Sequence, residues 1–258
     1  MTSVQPSAVS RQDEPLDLFR FGNLAGEPWL VHGISTRPGG VSEGRFSSLN
    51  VSFNVGDERA RVQENLRRLQ QALGAGELFS AYQVHGKAVT LVDPQTEPSP
   101  RCDVLMTRSA ERALMLRYAD CTPVLLADPK HSAVAAVHAG WRGTAQRAAG
   151  AAVQAMQEAF GTEAGDLLAG IGPAIGPCCY TVGREVVDAF SDRAWLIDQK
   201  SRLDLWEANR HALIEAGVPA AQIELAGICT QCQSDRFFSH RANGGIPAGR
   251  FAGIIRVC

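Results

Sequence analysis

The stretch DCTPVLLADPKHSAVAAVHAGWRG, residues 120–143, contains two short apolar runs separated by a polar turn. The runs, 124–127 and 133–137, are continuous and do not alternate with polar residues, which is typical of strands covered on both faces. A Cys precedes the first run and a His follows the second, so reactive side chains stand at the ends of both predicted strands. The Ala-rich segment Arg142–Phe160 then predicts a helix that ends at Gly161.

The flanking segments predict a mixed α and β chain without internal repeats. Apolar residues at helical spacing predict a helix from Asp57 to Gly74 and two further helices at 182–190 and 203–216. Further strands are predicted at 29–34, 48–55, 88–92, 113–117, 167–171, 223–228, 236–239 and 251–257.

No Pro/Gly/Ser-rich linker or charge run divides the chain, so we expect one catalytic domain over residues 17–258. Its predicted class is α+β, a single domain with mixed β-sheet layers and peripheral helices. Residues 1–16 are polar and include two prolines, which predicts a disordered N-terminal tail.

Composition excludes several classes of protein. The chain has 258 residues and a net charge of −2, so no general basic field indicates binding to nucleic acid. No apolar run reaches the roughly 20 residues needed to cross a bilayer. Seven Cys are an odd number and fit a reducing compartment better than a disulfide framework. We therefore expect a cytoplasmic protein that binds neither membranes nor nucleic acid.

Three side chains at strand ends could bind one metal ion. His85, in the motif Gln83-Val84-His85-Gly86, follows a strand-like segment, as His138 does, and Cys121 precedes one. Two imidazoles and a thiolate form a known type of zinc site with an open fourth position. The same residues also fit a Cys121–His138 nucleophile and base pair, or three unrelated structural groups. The residue pattern alone leaves these alternatives open.

Two neighbouring features bear on that choice. Ala139 and Gly140 follow His138 and let backbone approach closely, and Arg142 stands at the predicted helix start, where exposed N–H groups can bind an anion.

Further along, Cys229-Thr230-Gln231-Cys232 is a C-x-x-C motif, but a structural zinc would need two more ligands. The adjacent Cys178-Cys179 could supply them only if the fold brought both segments together. Unpaired thiols in packed strands are therefore the favoured interpretation.

Several motifs stand in order between about Trp29 and Val257, and together they resemble a known family. They are Thr36-Arg37-x-Gly39-Gly40-Val41-Ser42, Asn54-Val55-Gly56-Asp57, Gln83-Val84-His85-Gly86, Ala119-Asp120-Cys121, His138-Ala139-Gly140-Trp141-Arg142-Gly143, Gly172-Pro173, Cys178 with Tyr180, and Phe237-Phe238-Ser239. The family was once called multicopper polyphenol oxidase or laccase-domain proteins and is now described as purine nucleoside phosphorylases. His240 and Ala242 depart from its pattern, which usually has Tyr and a charged residue there.

The resemblance implies a fold, a metal and an activity. The fold would be an α+β sandwich shared with toxin-type cysteine hydrolases. The metal would be zinc, bound by His85, Cys121 and His138, although such a His₂Cys set also suits copper. The activity would be phosphorolysis of adenosine, inosine and methylthioadenosine, together with deamination of adenosine. The partners would then be nucleosides and phosphate, bound by a monomer or a homodimer.

The older oxidase name conflicts with the composition. A laccase moves electrons from a phenol to oxygen through several copper ions, which requires many His ligands. This chain has six His and no His-x-His pair. The sequence therefore argues against copper oxidation as its function.

Roles for the remaining site residues follow as hypotheses. Arg37 and Arg142, beside Gly-rich turns, could hold phosphate, and Gln83 or Asn54 could hydrogen-bond the sugar or base. Asp120 could orient a ligand imidazole or act as general acid or base.

The alternative is a hydrolase in which Cys121 attacks and His138 is its base, since relatives are also discussed as enzymes that edit peptidoglycan nucleotide precursors. That alternative predicts inhibition by alkylation of Cys121 and activity that survives chelation.

Overall fold

The computed structural model describes residues 15–258, so the first fourteen residues of the predicted tail, 1–16, lie outside the described part of the chain. The strands are β1 (Leu18–Phe19), β2 (Leu30–Ser35), β3 (Glu77–Ser80), β4 (Val89–Leu91), β5 (Val104–Thr107), β6 (Arg112–Tyr118), β7 (Thr122–Asp128), β8 (Ala133–Ala139), β9 (Leu168–Ile171), β10 (Ile223–Leu225) and β11 (Phe251–Val257). The helices are α1 (Gly22–Ala25), α2 (Arg59–Leu73), α3 (Trp141–Ala145), α4 (Ala148–Phe160), α5 (Arg184–Ala189) and α6 (Leu205–Glu215).

The described strands form two mixed sheets. One has the order β1-β2-β11-β6-β3, and the other has the order β10-β9-β7-β8-β5-β4. Three pairs are parallel, namely β3 with β6, β4 with β5, and β10 with β9, and the other pairs are antiparallel. The predicted α+β class with mixed sheets and peripheral helices is confirmed. The further likeness to toxin-type cysteine hydrolases stays a prediction.

The two continuous apolar runs form the buried centre of the second sheet. Every residue of β7 and β8 is buried. Leu125 and Ala136 face the core shared with the first sheet, whereas Val124 and Ala135 belong to a second core beneath α4. Alternate side chains of each strand therefore pack on opposite sides, which explains why the runs contain no polar residue.

The strand register brings distant residues to one end of this sheet. The antiparallel pairing of β7 with β8 sets Thr122 opposite Ala139, which places Cys121 beside the end of β8. The antiparallel pairing of β5 with β8 sets Val104 opposite Val137, and the N–H of His138 donates to the carbonyl of Asp103 at 2.8 Å. The residues just outside these paired segments therefore meet.

Two predicted strands are wrong. In segment 48–55 the N–H groups of Leu49 and Val51 donate to Arg37 and Arg250, so no single strand pairs with it. Segment 236–239 lies in a turn, where the Phe237 N–H bonds the Gln233 carbonyl at 2.8 Å. Both Phe237 and Phe238 are buried, which a strand with one covered face would not allow.

The helix predicted over Arg142–Phe160 is divided into α3 and α4. Arg147 interrupts it with a left-handed φ of 58°, and its guanidinium pairs with Glu215 at 3.0 Å. The sequence does not predict the strands β3 and β5, which have four residues each. Across residues 15–258, the helices are all too short or too polar to cross a membrane.

His32 on β2 is a buried imidazole away from the candidate site. Its Nε2 accepts a hydrogen bond from the N–H of Phe21 at 2.9 Å. Burial, reinforced by the positive charge of Arg20, lowers the pKa of His32 from 6.5 to about 4. The folded chain therefore keeps this ring neutral at pH values where an exposed His would be protonated.

We expect His32 to make the folded state less stable in acid. Between pH 6.5 and pH 4 the unfolded chain binds a proton that the folded chain excludes, so stability falls as the pH falls through that window. From pH 7 to pH 5 this amounts to a loss on the order of 2 kcal/mol. Urea unfolding at both pH values should show a smaller acid loss in His32→Gln, which cannot titrate. Equal losses in both proteins would contradict the assignment.

Candidate metal and catalytic site

The structure brings His85, Cys121 and His138 together. One ligand atom from each lies within 4.8 Å of the others, and the three side chains run from exposed through half-buried to buried. The two imidazole rings meet edge to face with their centroids 4.8 Å apart. Cys121 precedes β7 and His138 lies near the end of β8, while His85 comes from the loop between β3 and β4.

A buried carboxylate that the sequence analysis missed organises this group. Asp103 accepts hydrogen bonds from the N–H groups of Val84, His85 and Gly86 at 3.1, 2.9 and 2.7 Å. Its Oδ1 also lies 2.8 Å from Nδ1 of His138. Burial alone would raise the pKa of Asp103, but these donors lower it below the usual value. The carboxylate therefore stays charged, fixes the His85 loop and leaves Nε2 of His138 for a ligand.

The backbone at His85 and Gly140 is adapted to this arrangement. His85 has a φ of 61°, a left-handed conformation that costs a non-glycine residue on the order of 1 kcal/mol. The bonds to Asp103 hold it there. At Gly140 a Cβ atom would lie 3.0 Å from the Cys121 sulfur and 3.1 Å from Cδ2 of His85. The glycine after His138 therefore provides the close backbone approach expected from the sequence.

The pKa values of Cys121 and His138 are shifted in opposite directions, which favours the charged forms of both side chains. Burial would raise the pKa of the Cys121 thiol, but His138 and then His85 bring it down to about 6. Burial would lower the pKa of His138, yet Cys121 and Asp103 raise it to about 9. A thiolate is both a metal ligand and a nucleophile. The electrostatics therefore fit either a metal site or a Cys–His pair.

Asp120 has a different position from the one predicted. Its Oδ1 accepts the hydroxyl proton of Thr230 at 2.7 Å, and its Oδ2 accepts the N–H of Arg241 at 2.7 Å. The carboxylate is thus bonded to the long loop before β11. The role of orienting a ligand imidazole belongs to Asp103 at His138, so in that respect the hypothesis for Asp120 is wrong. A catalytic role for Asp120 stays a prediction.

The three ligand candidates open into a cavity of about 600 Å³. Asn54 and Gln83, both predicted to bind substrate, line it. The Gln83 amide already pairs with the Arg117 backbone, donating to its carbonyl at 2.8 Å and accepting its N–H at 2.9 Å. Gln83 therefore positions Arg117, which lines the same cavity together with Arg250 and His240.

The two arginines predicted to bind phosphate do not line this cavity. The Arg37 guanidinium donates to the carbonyls of Ser47 at 2.5 Å and Ser234 at 2.6 Å. Arg142 lies on the surface and pairs with Glu185 at 2.9 Å. The cavity's cations are instead Arg117 and Arg250. Neither belongs to a motif recognised in the sequence, and only the strand arrangement brings them beside the metal-ligand candidates.

Comparison with known proteins identifies the family of this chain. A family model described as "Multi-copper polyphenol oxidoreductase laccase" matches residues 31–258. The chain belongs to this family. The resemblance seen in the sequence motifs is therefore confirmed. Within residues 15–258, the potential metal-binding groups are the His₂Cys group and one set of four Cys. These donors do not provide the many imidazoles of a multicopper oxidase.

Similar proteins are named for nucleoside chemistry. A Bacteroides thetaiotaomicron protein named purine nucleoside phosphorylase is 37% identical, over 88% of this chain and 92% of its own length. Adenosine deaminase RL5, from an unknown prokaryotic organism, is 35% identical over 88% of this chain and 94% of its own. The crystal structure of YlmD from Geobacillus stearothermophilus gives a TM-score of 0.82 at 36% identity, covering 90% of this chain and 93% of that one.

We expect Asp103→Asn to weaken metal binding at the His₂Cys group by roughly 10–100-fold, the usual effect of changing the outer partner of a metal ligand. The amide would present N–H donors to backbone N–H groups and would loosen the His85 loop. Chelator competition measures the affinity. Asp128→Asn is the matched control, because Asp128 is a buried carboxylate that pairs with His131 at 2.8 Å instead. Equal affinities in both variants and the wild type would contradict the role of Asp103.

Proposed function

We propose that this chain is a zinc-dependent purine nucleoside phosphorylase that also deaminates adenosine. The substrates would be adenosine, inosine and methylthioadenosine, cleaved with phosphate to the free base and a pentose 1-phosphate. One observation carries the proposal: the His85, Cys121 and His138 group opens into a cavity that also contains two arginines. The names of the similar proteins support the nucleoside chemistry.

The donor set fits zinc. Catalytic zinc sites use three protein ligands chosen from Cys, His and carboxylates, and their His ligands usually donate the second ring N–H to a carboxylate. Cys121 with its lowered pKa and His138 bonded to Asp103 meet these requirements. When bound, zinc polarises substrate oxygens and lowers the pKa of bound water towards ~7. Blue-copper sites add a weak axial ligand, usually Met and otherwise Gln or a backbone oxygen. No Met lines the described cavity, and the amide of its Gln83 is already bonded to the Arg117 backbone, so we favour zinc over copper.

Arg117 and Arg250 are suited to hold the phosphate. A guanidinium binds phosphate oxygens through paired, charge-assisted hydrogen bonds, which suits phosphorolysis because the attacking group is an anion. Arg117 is held by its Nε–H bond to the Val51 carbonyl at 3.0 Å and its Nη1–H bond to Ser80 Oγ at 2.8 Å. Arg250 is held by a bond to the Ala248 carbonyl at 2.7 Å. Both cations are thus fixed before substrate binds.

The remaining cavity residues would contact the nucleoside. Asn54 is exposed in the cavity wall and carries both a donor and an acceptor for sugar or base. We place this activity in the cytoplasm, because seven Cys in an odd number fit a reducing compartment.

The alternative function is a Cys–His hydrolase acting on peptidoglycan nucleotide precursors. In its favour, His138 lowers the pKa of the neighbouring Cys121 thiol to about 6 against the effect of burial, and Cys121 and Asp103 raise the pKa of His138 to about 9. Asp103 would then orient the imidazole as the third member of a triad. The names of the similar proteins favour the phosphorylase. Chelation separates the two, because a hydrolase of this kind keeps its activity without metal.

We expect chelation to abolish turnover of inosine with phosphate, and zinc to restore it. His85→Ala and Cys121→Ala should each lose the zinc of the His₂Cys group, and their kcat/KM should fall by more than the roughly 100-fold that changing an outer partner can cost. Release of hypoxanthine measures turnover, and metal analysis measures zinc. Cys258→Ser, at an exposed Cys, is the control and should behave as wild type. Full activity and full zinc content in both site variants would refute the proposed site.

Arg250→Gln should raise the KM for phosphate at least roughly tenfold, since a charge-assisted bond to phosphate is lost. Deamination of adenosine needs no phosphate and should continue. Arg142→Gln is the matched control, because Arg142 pairs with Glu185 on the surface. An increased phosphate KM in Arg142→Gln but not in Arg250→Gln would contradict the role of Arg250 and support the phosphate site predicted from the sequence at Arg142.

A further inference from the structure

Four cysteines outside the candidate catalytic site lie together. One sulfur from each of Cys178, Cys179, Cys229 and Cys232 lies within 4.8 Å of the others. The Cys232 sulfur is 3.6 Å from that of Cys178 and 3.4 Å from that of Cys179. These residues belong to two loops, 172–183 and 226–250, and not to strands. The four thiols form no disulfide, as predicted, but their predicted location in packed strands is wrong.

The sulfur separations match a single tetrahedral ion. Zinc binds thiolates at roughly 2.3 Å, which sets the sulfurs of a four-Cys site about 3.8 Å apart. The observed separations of 3.4 and 3.6 Å, with all four sulfurs within 4.8 Å, are close to that value. A disulfide needs its sulfurs about 2.05 Å apart. An iron–sulfur cluster places several iron atoms between its cysteines and needs a wider opening.

Backbone donors from both loops surround the Cys229 sulfur. The N–H of Gly176 donates to this sulfur at 3.3 Å. The backbone N–H of Cys232 donates to the same sulfur. These donors come from both loops, so the loops already meet around this sulfur. Outer hydrogen bonds to ligand sulfurs are a regular part of metal sites.

We propose that Cys178, Cys179, Cys229 and Cys232 bind a structural zinc ion in a closed four-sulfur site. Four protein ligands leave no open position for water or substrate, so the ion would stabilise the fold and take no part in catalysis. The site is independent of the proposed nucleoside chemistry.

The four cysteines lie where two loops meet beside the candidate catalytic site. The two loops also meet at Asp120, whose carboxylate binds Thr230 and Arg241 and whose carbonyl accepts the N–H of Ile175 at 3.0 Å. Thr230 directly follows Cys229, and Asp120 directly precedes Cys121. The zinc ion would therefore join the two loops that hold the backbone beside the catalytic ligand candidate.

Joining these loops matters because they have little regular structure of their own. Between Gly172 and Gly183 and from Ala226 to Arg250, the chain forms turns and isolated bridges only. A metal cross-link between segments far apart in sequence restricts the unfolded chain and stabilises such loops. His240, in the second loop, lines the cavity, so the same cross-link would maintain one cavity wall.

Metal analysis of the full chain, purified under reducing conditions, tests the proposal. We expect two zinc ions per chain in the wild type and a loss of one in Cys178→Ser/Cys232→Ser, together with a fall of several degrees in the unfolding midpoint. Cys258→Ser, which changes another exposed thiol, should keep both ions. An unchanged zinc content in the double variant would overturn the proposal.

X-ray absorption provides a test that does not depend on the double variant folding. Cys121→Ser removes a ligand of the other site, so the zinc that remains should show four sulfur neighbours at roughly 2.3 Å. This result would stand even if the His₂Cys group bound no metal. Absence of zinc from Cys121→Ser, a mixed nitrogen and sulfur shell, or a disulfide between these cysteines in the mass spectrum would each overturn the four-sulfur site.

Discussion

The carboxylate of Asp103 is the group on which the candidate site depends. It receives three backbone N–H bonds from the His85 loop and one bond from the His138 ring. A buried charge is costly unless hydrogen bonds and opposite charge compensate it, and here every compensating group belongs to the site. The carboxylate and the site therefore stabilise one another. Asp103 accepts hydrogen bonds from the backbone N–H of His85 and from the ring of His138. One residue therefore positions both of these metal-ligand candidates.

The sheet supplies the precision that a metal site requires. The strands β5, β7 and β8 are buried on both faces or paired on both edges, so their register cannot slip without exposing apolar side chains. Cys121 and Asp103 directly precede two of these strands, and His138 lies near the end of the third. Only His85 comes from a long connection between strands, and its backbone is held by Asp103 in a left-handed conformation. The loop that carries His85 is thus held against the strands that position the other site residues.

The opposite side of the site is formed by loops, and contacts other than strand pairing hold these loops in place. The carboxylate of Asp120 accepts hydrogen bonds from Thr230 and Arg241, and its carbonyl accepts one from Ile175. These bonds hold the backbone directly before Cys121. The proposed zinc at the four cysteines would join the same two loops one residue from Thr230. The family description names copper, but the groups of potential metal donors in residues 15–258 are one His₂Cys group and one group of four Cys, which lack the many imidazoles of a multicopper electron-transfer array. Arg142 belongs to the same short motif as His138, yet its side chain pairs with Glu185 on the surface and does not line the cavity.

The sequence by itself determined the buried strands β7 and β8, most of α4, the α+β class and the three ligand candidates. Continuous apolar runs, helical spacing and short motifs are local signals, and these features need nothing more. Only the tertiary structure decided the role of Asp103, the cavity position of Arg117 and Arg250, and the meeting of Cys178 with Cys232. Each depends on strand pairing or loop contact between residues far apart in sequence, and no local pattern records which distant segments a buried sheet will bring together.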